Sequence, residues 1–148
     1  MNLYYYECLN VPYLVQNGAD SVWDAYQTLS IYLQQHFVCG AGFGVYLANE
    51  ACLTNVWQSQ RRALDDYRGL YDTQVQTQLG SAESQVFCDF GDQLKVNYQS
   101  VFEGICTTDR IDASWWACEY ARVNVITQFP FCSTAGYRCV SSARAPPS

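Results

Sequence analysis

Eight cysteines spread along the whole chain constrain its fold more than any other feature of the sequence. An even number of well-separated cysteines is typical of disulfides that form in an oxidising compartment. We therefore expect a secreted, extracellular protein in which every cysteine is disulfide-bonded, and among the pairings we expect Cys39 to join Cys52 across the Gly-rich turn between them. The cysteines are Cys8, Cys39, Cys52, Cys88, Cys106, Cys118, Cys132 and Cys139.

The spacing of the cysteines argues against a metal site. Structural zinc sites normally use pairs of ligands separated by about two to four residues. No Cys-x-x-Cys pair occurs here, and the two closest cysteines are Cys132 and Cys139. The sequence therefore predicts no metal ion and no other cofactor.

Length and composition predict one folded domain. The chain has 148 residues, of which 49% are hydrophobic and 16% aromatic, a composition that is far from the disordered class. A domain of this length buries roughly 70% of its unfolded surface, so the disulfides add to a core and do not replace one. We expect a single domain over residues 1–140. Residues 141–148 read Ser-Ser-Ala-Arg-Ala-Pro-Pro-Ser and are typical of a flexible tail or linker.

The charge balance excludes two classes of partner. The formal net charge is −6, and Lys95 is the only lysine. A phosphate backbone would meet a negative surface, so nucleic acid is not an expected partner. No cluster of basic residues is present to bind anionic lipid, and no stretch of 18 apolar residues occurs, so no membrane insertion is expected.

Apolar residues recur at helical spacing in four segments. The predicted helices span about 20–37, 46–78, 82–105 and 112–127, and the second of them could break near Gly69. Asp20 or Ser21 can cap the first of these helices. No segment shows the alternating pattern of a strand. We therefore predict an all-α fold, a four- or five-helix bundle that is stapled by disulfides at helix ends.

The sequence contains no catalytic motif above chance. His36 is the only histidine, and no Gly-x-Ser-x-Gly elbow accompanies it. Carboxylates occur as pairs at Asp65 and Asp66 and at Asp89 and Asp92, and such pairs can serve as acid and base. A solvated acidic face explains them more simply. We therefore expect a protein that is not an enzyme, and keep a secreted enzyme with paired carboxylates as the least favoured alternative.

Aromatic residues are the better indication of function. They exceed what a small core normally uses, and Tyr and Trp anchor protein interfaces. Adjacent Trp115 and Trp116 cannot both point inward from one helix face, although both could cover the edges of the core. We predict a non-enzymatic module that binds an extracellular protein partner, or itself, through an aromatic, acidic surface. The alternative is a carrier of a small apolar ligand between helices. The binding candidates are Tyr4, Tyr5, Tyr6, Trp23, Trp57, Trp115 and Trp116.

The order of cysteines and aromatic residues over residues 35–140 resembles a known family. The chain is similar to the secreted, helical, cysteine-rich domains of nematodes, including the chondroitin-proteoglycan-4-like group. The resemblance implies an extracellular, non-enzymatic domain and carries no catalytic residues over to this chain. The matching features are Cys39 and Cys52 around a turn, residues 87–98, Ile105-Cys106, Trp116-Ala-Cys118, Phe131-Cys132 and Cys139.

Overall fold

The computed structural model describes residues 9–80, 83–106, 112–134 and 137–140. These residues form seven α-helices and one turn of 3-10 helix, and they contain no β-strand, so the predicted all-α class is confirmed. The predicted tail at residues 141–148 lies outside the described residues. The helices are α1 (Val11–Gln16), α2 (Val22–Cys39), α3 (Phe43–Ala48), α4 (Glu50–Ser59), α5 (Arg61–Gln78), α6 (Ser84–Ile105) and α7 (Ala113–Gln128), and Pro130–Cys132 forms the 3-10 turn.

The prediction of one long helix over residues 46–78 is wrong. The chain turns at Asn49 and again at Gln60, so that α3, α4 and α5 are separate helices. Asn49 is buried, and its side-chain amide and backbone N–H both donate to the carbonyl of Val45, which ends α3. Gly69 lies inside α5 and does not break it. The apolar spacing continues across both turns, which is why the pattern alone suggested fewer helices than the seven found in the described residues.

The first helix, α1, was not expected from the sequence. Asn10 caps it by accepting a hydrogen bond from the backbone N–H of Tyr13 at 2.9 Å, and Pro12 stands in its first turn. Both features favour a helix start. The helix has only six residues, which are too few to show a helical repeat of apolar side chains, and none of them is buried. It packs against α2.

Three helix pairs organise the core. Helix α7 packs against α2 on one side and α6 on the other, and α5 packs against α6. Helix α2 begins at the predicted cap, because Ser21 Oγ accepts from the N–H of Asp24 at 3.1 Å. The largest fully buried side chains include Trp116, Phe102 and Tyr71, which come from α7, α6 and α5. The core therefore lies between α7 and its neighbours.

Gly91 permits close packing of α6 and α7. A Cβ atom at this position would collide with the Tyr137 hydroxyl oxygen and with Val125 Cγ1. Tyr137 in turn donates to the carbonyl of Cys88 at 3.2 Å. A glycine in a helix costs about 1 kcal/mol relative to alanine, and here the space it leaves is filled by buried Tyr137. This tyrosine belongs to the described residues that follow α7, 129–134 and 137–140, which we call the C-terminal segment.

Residues in the described parts of the chain form three disulfides, which confirms the prediction for six of the eight cysteines. The expected pairing of Cys39 with Cys52 is wrong. The turn at Asn49 places Cys52 on α4, which packs against α6, and its sulfur meets Cys106 at the end of α6 instead. Cys39 is an exposed free thiol, so its prediction as a disulfide cysteine is not met, and Cys8 lies outside the described residues. The bridges are Cys52–Cys106, Cys88–Cys132 and Cys118–Cys139.

Candidate functional site

The predicted binding residues lie in different places. Tyr4, Tyr5 and Tyr6 are outside the described residues. Trp116 is buried with 1% exposure, and Trp115 is partly buried and packs edge-on against Phe37 with ring centroids 6.2 Å apart. One of the adjacent tryptophans therefore points inward and the other covers the edge of the core.

Trp57 and Trp116 belong to one aromatic cluster. Tyr120 connects them: its ring stacks on Trp116 with centroids 5.4 Å apart and meets Trp57 edge-on at 5.3 Å. Trp57 also packs edge-on against Phe102 at 5.8 Å. Such geometries are favourable for aromatic pairs beyond the area that they bury. The cluster joins α4, α6 and α7 into one aromatic layer.

This layer is open to solvent in a groove with a volume of about 300 Å³, which we call the aromatic groove. Helix α2 forms one wall of the groove, and the aromatic rings form the rest. The nitrogen of Trp57 and the hydroxyl of Tyr120 make no hydrogen bond to any of the described residues, whereas Trp116 Nε1 donates to the carbonyl of Gly42 at 3.1 Å. The lining residues are Gln35, Val38, Tyr46, Trp57, Trp116 and Tyr120.

Gly42 fixes the inner end of the aromatic groove. A Cβ atom there would lie 2.7 Å from the ring of Phe37 and 2.9 Å from Trp116 Nε1, both too close for a side chain. The backbone of the turn between α2 and α3 therefore packs directly on the tryptophan edge. This close approach explains the glycine at this position of the turn.

A network of polar side chains contacts the backbone of Tyr120, one of the residues that line the groove. Gln34 Nε2 donates to the carbonyl of Tyr120 at 2.9 Å, and Arg68 donates to Gln34 Oε1 at 3.2 Å and to Gln27 Oε1 at 3.1 Å. Gln27 donates to Asp72 at 2.8 Å, and Arg68 lies 3.9 Å from the same carboxylate. We call these five residues the polar network. It connects α2 and α5 to the backbone of α7.

Burial sets the ionisation of two groups at this site. It raises the pKa of the Asp72 carboxyl, against the opposing effects of the Gln27 hydrogen bond and the Arg68 charge. It also raises the pKa of the Tyr120 phenol, again opposed by Arg68. Tyr120 therefore stays a neutral hydroxyl, which can donate or accept a hydrogen bond.

A second groove lies on the other side of the contact between α2 and α7. It has a volume of about 430 Å³ and is open to solvent; we call it the aliphatic groove. Its polar side chains are His36 and Thr127, and the hydroxyl of Thr127 donates to the carbonyl of Val123 at 2.7 Å. The lining residues are Leu33, His36, Phe37, Ala41, Val123, Ile126 and Thr127.

Trp23 takes no part in either groove. It packs against Phe129 with ring centroids 6.3 Å apart, and its buried Nε1 has no hydrogen-bond partner in the described parts of the chain. Sequence reasoning therefore identified two lining residues of the aromatic groove, Trp57 and Trp116. It missed Tyr120, although the four-residue spacing from Trp116 predicts that both rings share one face of α7.

The paired carboxylates do not form a site. Asp65, Asp66, Asp89 and Asp92 are all exposed, and none of them lines either groove. Asp65 lies 3.7 Å from Arg61 in an exposed ion pair. The geometry gives no support to an enzyme that uses these carboxylates. No group of three or more potential metal ligands occurs among residues 9–80, 83–106, 112–134 and 137–140.

Two further findings concern membrane-spanning helices and similarity to known proteins. None of the helices in the described residues is both long and apolar enough to cross a membrane. No family model, no curated protein and no solved structure matches this chain. The resemblance to the chondroitin-proteoglycan-4-like group therefore stays a prediction.

Proposed function

We propose that this chain is an extracellular, non-enzymatic interaction module that binds a partner protein through the aromatic groove. Three disulfides support an extracellular location, since such bonds persist in oxidising compartments. The groove has the composition of an interface centre, which is enriched in Tyr and Trp and depleted in charge. None of its lining residues is charged.

One observation carries this proposal. Trp57 and Tyr120 are only partly buried, and neither the indole nitrogen nor the hydroxyl is bonded to the described residues. An apolar surface that carries an indole N–H and a phenol O–H is suited to bind a protein. The surface can pack against an apolar side chain of the partner, and the N–H and O–H can form hydrogen bonds with the partner's backbone. Ile31, which is 54% exposed, lies one helical turn before Gln35 and therefore on the same side of α2 as this lining residue.

The aliphatic groove supports the alternative, a carrier of a small apolar ligand. Five of its seven lining side chains are hydrocarbon or aromatic, and its volume falls in the range of small-molecule sites. It is open to solvent and does not enclose a ligand between helices. For this reason we favour the aromatic groove and the protein partner.

Photo-crosslinking from the rim of the groove tests the proposal. Gln35 is an exposed glutamine that lines the groove, and Gln76 is an exposed glutamine on α5 that does not line it. We expect a photo-reactive benzoylphenylalanine at position 35, in protein exposed to extracellular fluid from its source, to capture one defined protein. The same residue at position 76 serves as the matched control and should not capture it.

Direct binding then decides the result. The captured protein, once purified, should bind the wild-type chain in calorimetry and bind the Ile31→Asp variant at least tenfold more weakly, since a charge would be buried unpaired. Equal capture from both positions, or an unchanged affinity of Ile31→Asp, would refute the proposal. A lipid-sized mass retained on the protein in native mass spectrometry would support the carrier instead.

A further inference from the structure

The aliphatic groove lies on the helix to which the C-terminal segment is cross-linked. The disulfide Cys118–Cys139 joins this segment to α7 with a Cα–Cα distance of 5.8 Å. Ile126, which lines the groove, follows Cys118 by eight residues on α7. Eight residues of α-helix rise about 12 Å and turn the direction of the side chain by about 80°. The groove therefore lies on the order of 15 Å from the cross-link.

The residues after Cys139 are long enough to reach this groove. Residues 141–148 lie outside the described residues and read Ser-Ser-Ala-Arg-Ala-Pro-Pro-Ser; we call them the proline tail. An extended chain spans about 3.3 Å per residue, so the seven residues after Cys139 that end at Pro146 cover up to about 23 Å. The aromatic groove lies on the other side of the contact between α2 and α7, so a path to it would also have to pass around α2. The aliphatic groove is the nearer of the two.

The chemistry of the groove fits the prolines of the tail. Five of the seven lining side chains are hydrocarbon or aromatic, and none of the seven is Asp, Glu, Lys or Arg. Residues 145–147 read Ala-Pro-Pro, so they carry no charge, and the two prolines have no backbone N–H that would lose its water on binding. The restricted backbone of proline also lowers the conformational entropy that is lost when the segment binds.

Charge and local concentration favour the proline tail over a separate molecule. Arg144 is the only charged side chain in residues 141–148, and it belongs to a chain with a net charge of −6, so the helices attract the tail. The same net charge makes a second copy of the chain repel the first. A tethered segment also acts at an effective concentration on the order of 1 mM, which a separate partner rarely reaches.

We propose that the aliphatic groove binds residues 145–147 of the same chain. An intrinsic dissociation constant on the order of 100 µM, set against an effective concentration on the order of 1 mM, leaves the groove free in about one molecule in ten. Any other ligand of this groove has to displace the tail, which weakens its apparent affinity about tenfold. The proposal concerns a different surface from the aromatic groove and does not rest on the proposed function.

Methyl NMR of the full chain tests the contact directly. Ile126 lines the groove, whereas Ile31 is 54% exposed and does not line it. In protein with ¹³C-labelled isoleucine δ1 methyl groups, assigned with Ile126→Val and Ile31→Val, we expect nuclear Overhauser effects between the Ile126 methyl group and the ring protons of Pro146 and Pro147. The Ile31 methyl group should show none. Dilution should leave the Ile126 signals unchanged, because the contact forms within one chain.

Variants of the tail show whether the prolines make the contact. Pro146→Asp should remove the Overhauser effects and shift the Ile126 methyl resonance, since docking would bury an unpaired charge. Ser148→Asp adds the same charge to the tail outside residues 145–147, and it should leave both unchanged.

Variants of the groove show where the tail binds. Ala41 and Ala48 are both exposed alanines near α3, but only Ala41 lines the groove. Ala41→Asp should therefore remove the contact, and Ala48→Asp is the matched control that should keep it. Absence of the Overhauser effects in the wild type, their loss on dilution, or equal effects of the two alanine variants would overturn the inference. None of these measurements involves capture from position 35, so the inference and the proposed function can fail separately.

Discussion

Two regions of this molecule are held together by different forces. The three disulfides connect α4, α6, α7 and the C-terminal segment with one another. Within the described residues no disulfide reaches α1, α2, α3 or α5. Helices α2 and α5 are joined instead by the polar network, and they pack on α7 and α6 respectively. One region is thus cross-linked covalently, and the other is held by hydrogen bonds and packing alone.

The aromatic groove lies where these two regions meet. Trp57, Trp116 and Tyr120 come from the disulfide-linked helices, while Gln35 and Val38 come from α2. One wall therefore belongs to cross-linked helices, whereas the other is held by its packing on α7 and by the polar network. The comparison teaches that a binding surface can combine an aromatic platform on disulfide-linked helices with a wall that noncovalent contacts hold in place.

The largest expected effect is the loss of a disulfide in the first region. Replacing Cys88 and Cys132 together by Ser opens a loop with a sequence separation of 44. Chain entropy predicts that this lowers the free energy of unfolding by about 4 kcal/mol. Urea denaturation followed by circular dichroism measures it. Cys39→Ser is the control and should change stability by less than about 0.5 kcal/mol, because surface substitutions have small effects; a larger loss would show that Cys39 is cross-linked.

A smaller effect is expected in the second region. Arg68→Ala removes two hydrogen bonds of the polar network and the charge beside Asp72, and should lower the free energy of unfolding by about 2 kcal/mol. Arg61→Ala, which removes an exposed ion pair on the same helix, should cost at most about 0.5 kcal/mol. Equal losses in the two variants would mean that the network does not hold α2 to α5.

The smallest effect is the pH dependence of the same network. Burial raises the pKa of Asp72 above its ordinary value of 3.8, so the folded state binds this proton more tightly than the unfolded state. The stability contributed by Asp72 is therefore fully present below pH 3.8 and is lost as the pH rises through the folded pKa. Relative to Asp72→Asn, the wild type should gain stability on acidification from neutral pH, as measured by urea denaturation at each pH. A relative loss on acidification would mean that the charge of Arg68 dominates.

The fold was largely predictable because its signals are local. Apolar spacing located α2, α6 and α7 within two residues of their ends, and the cap at Ser21 was visible in the sequence. The turns at Asn49 and Gln60 were not, since they interrupt the helix without interrupting the apolar pattern. The pairing of Cys52 with Cys106 depends on where those turns send α4, which no local signal reveals.

The candidate site was predictable only in part, for the same reason. Tryptophan composition indicated Trp57 and Trp116, but the groove also needs Gln35 and Val38 from another helix. These two residues carry no chemical signature of their own. They become lining residues only because α2 packs along α7, which is a tertiary fact. Sequence patterns identify side chains with strong chemistry and miss those that matter through position.

The single lysine side chain of the chain is protected from amine chemistry in the folded protein. Lys95 is buried: its Nζ lies 2.7 Å from Asp92 Oδ1 and 3.5 Å from the centroid of the Tyr137 ring. Acylating reagents and lysine-specific proteases need this amine free and accessible. Labelling of Lys95 therefore requires the C-terminal segment to lift from α6, so the rate of labelling measures how often that segment opens.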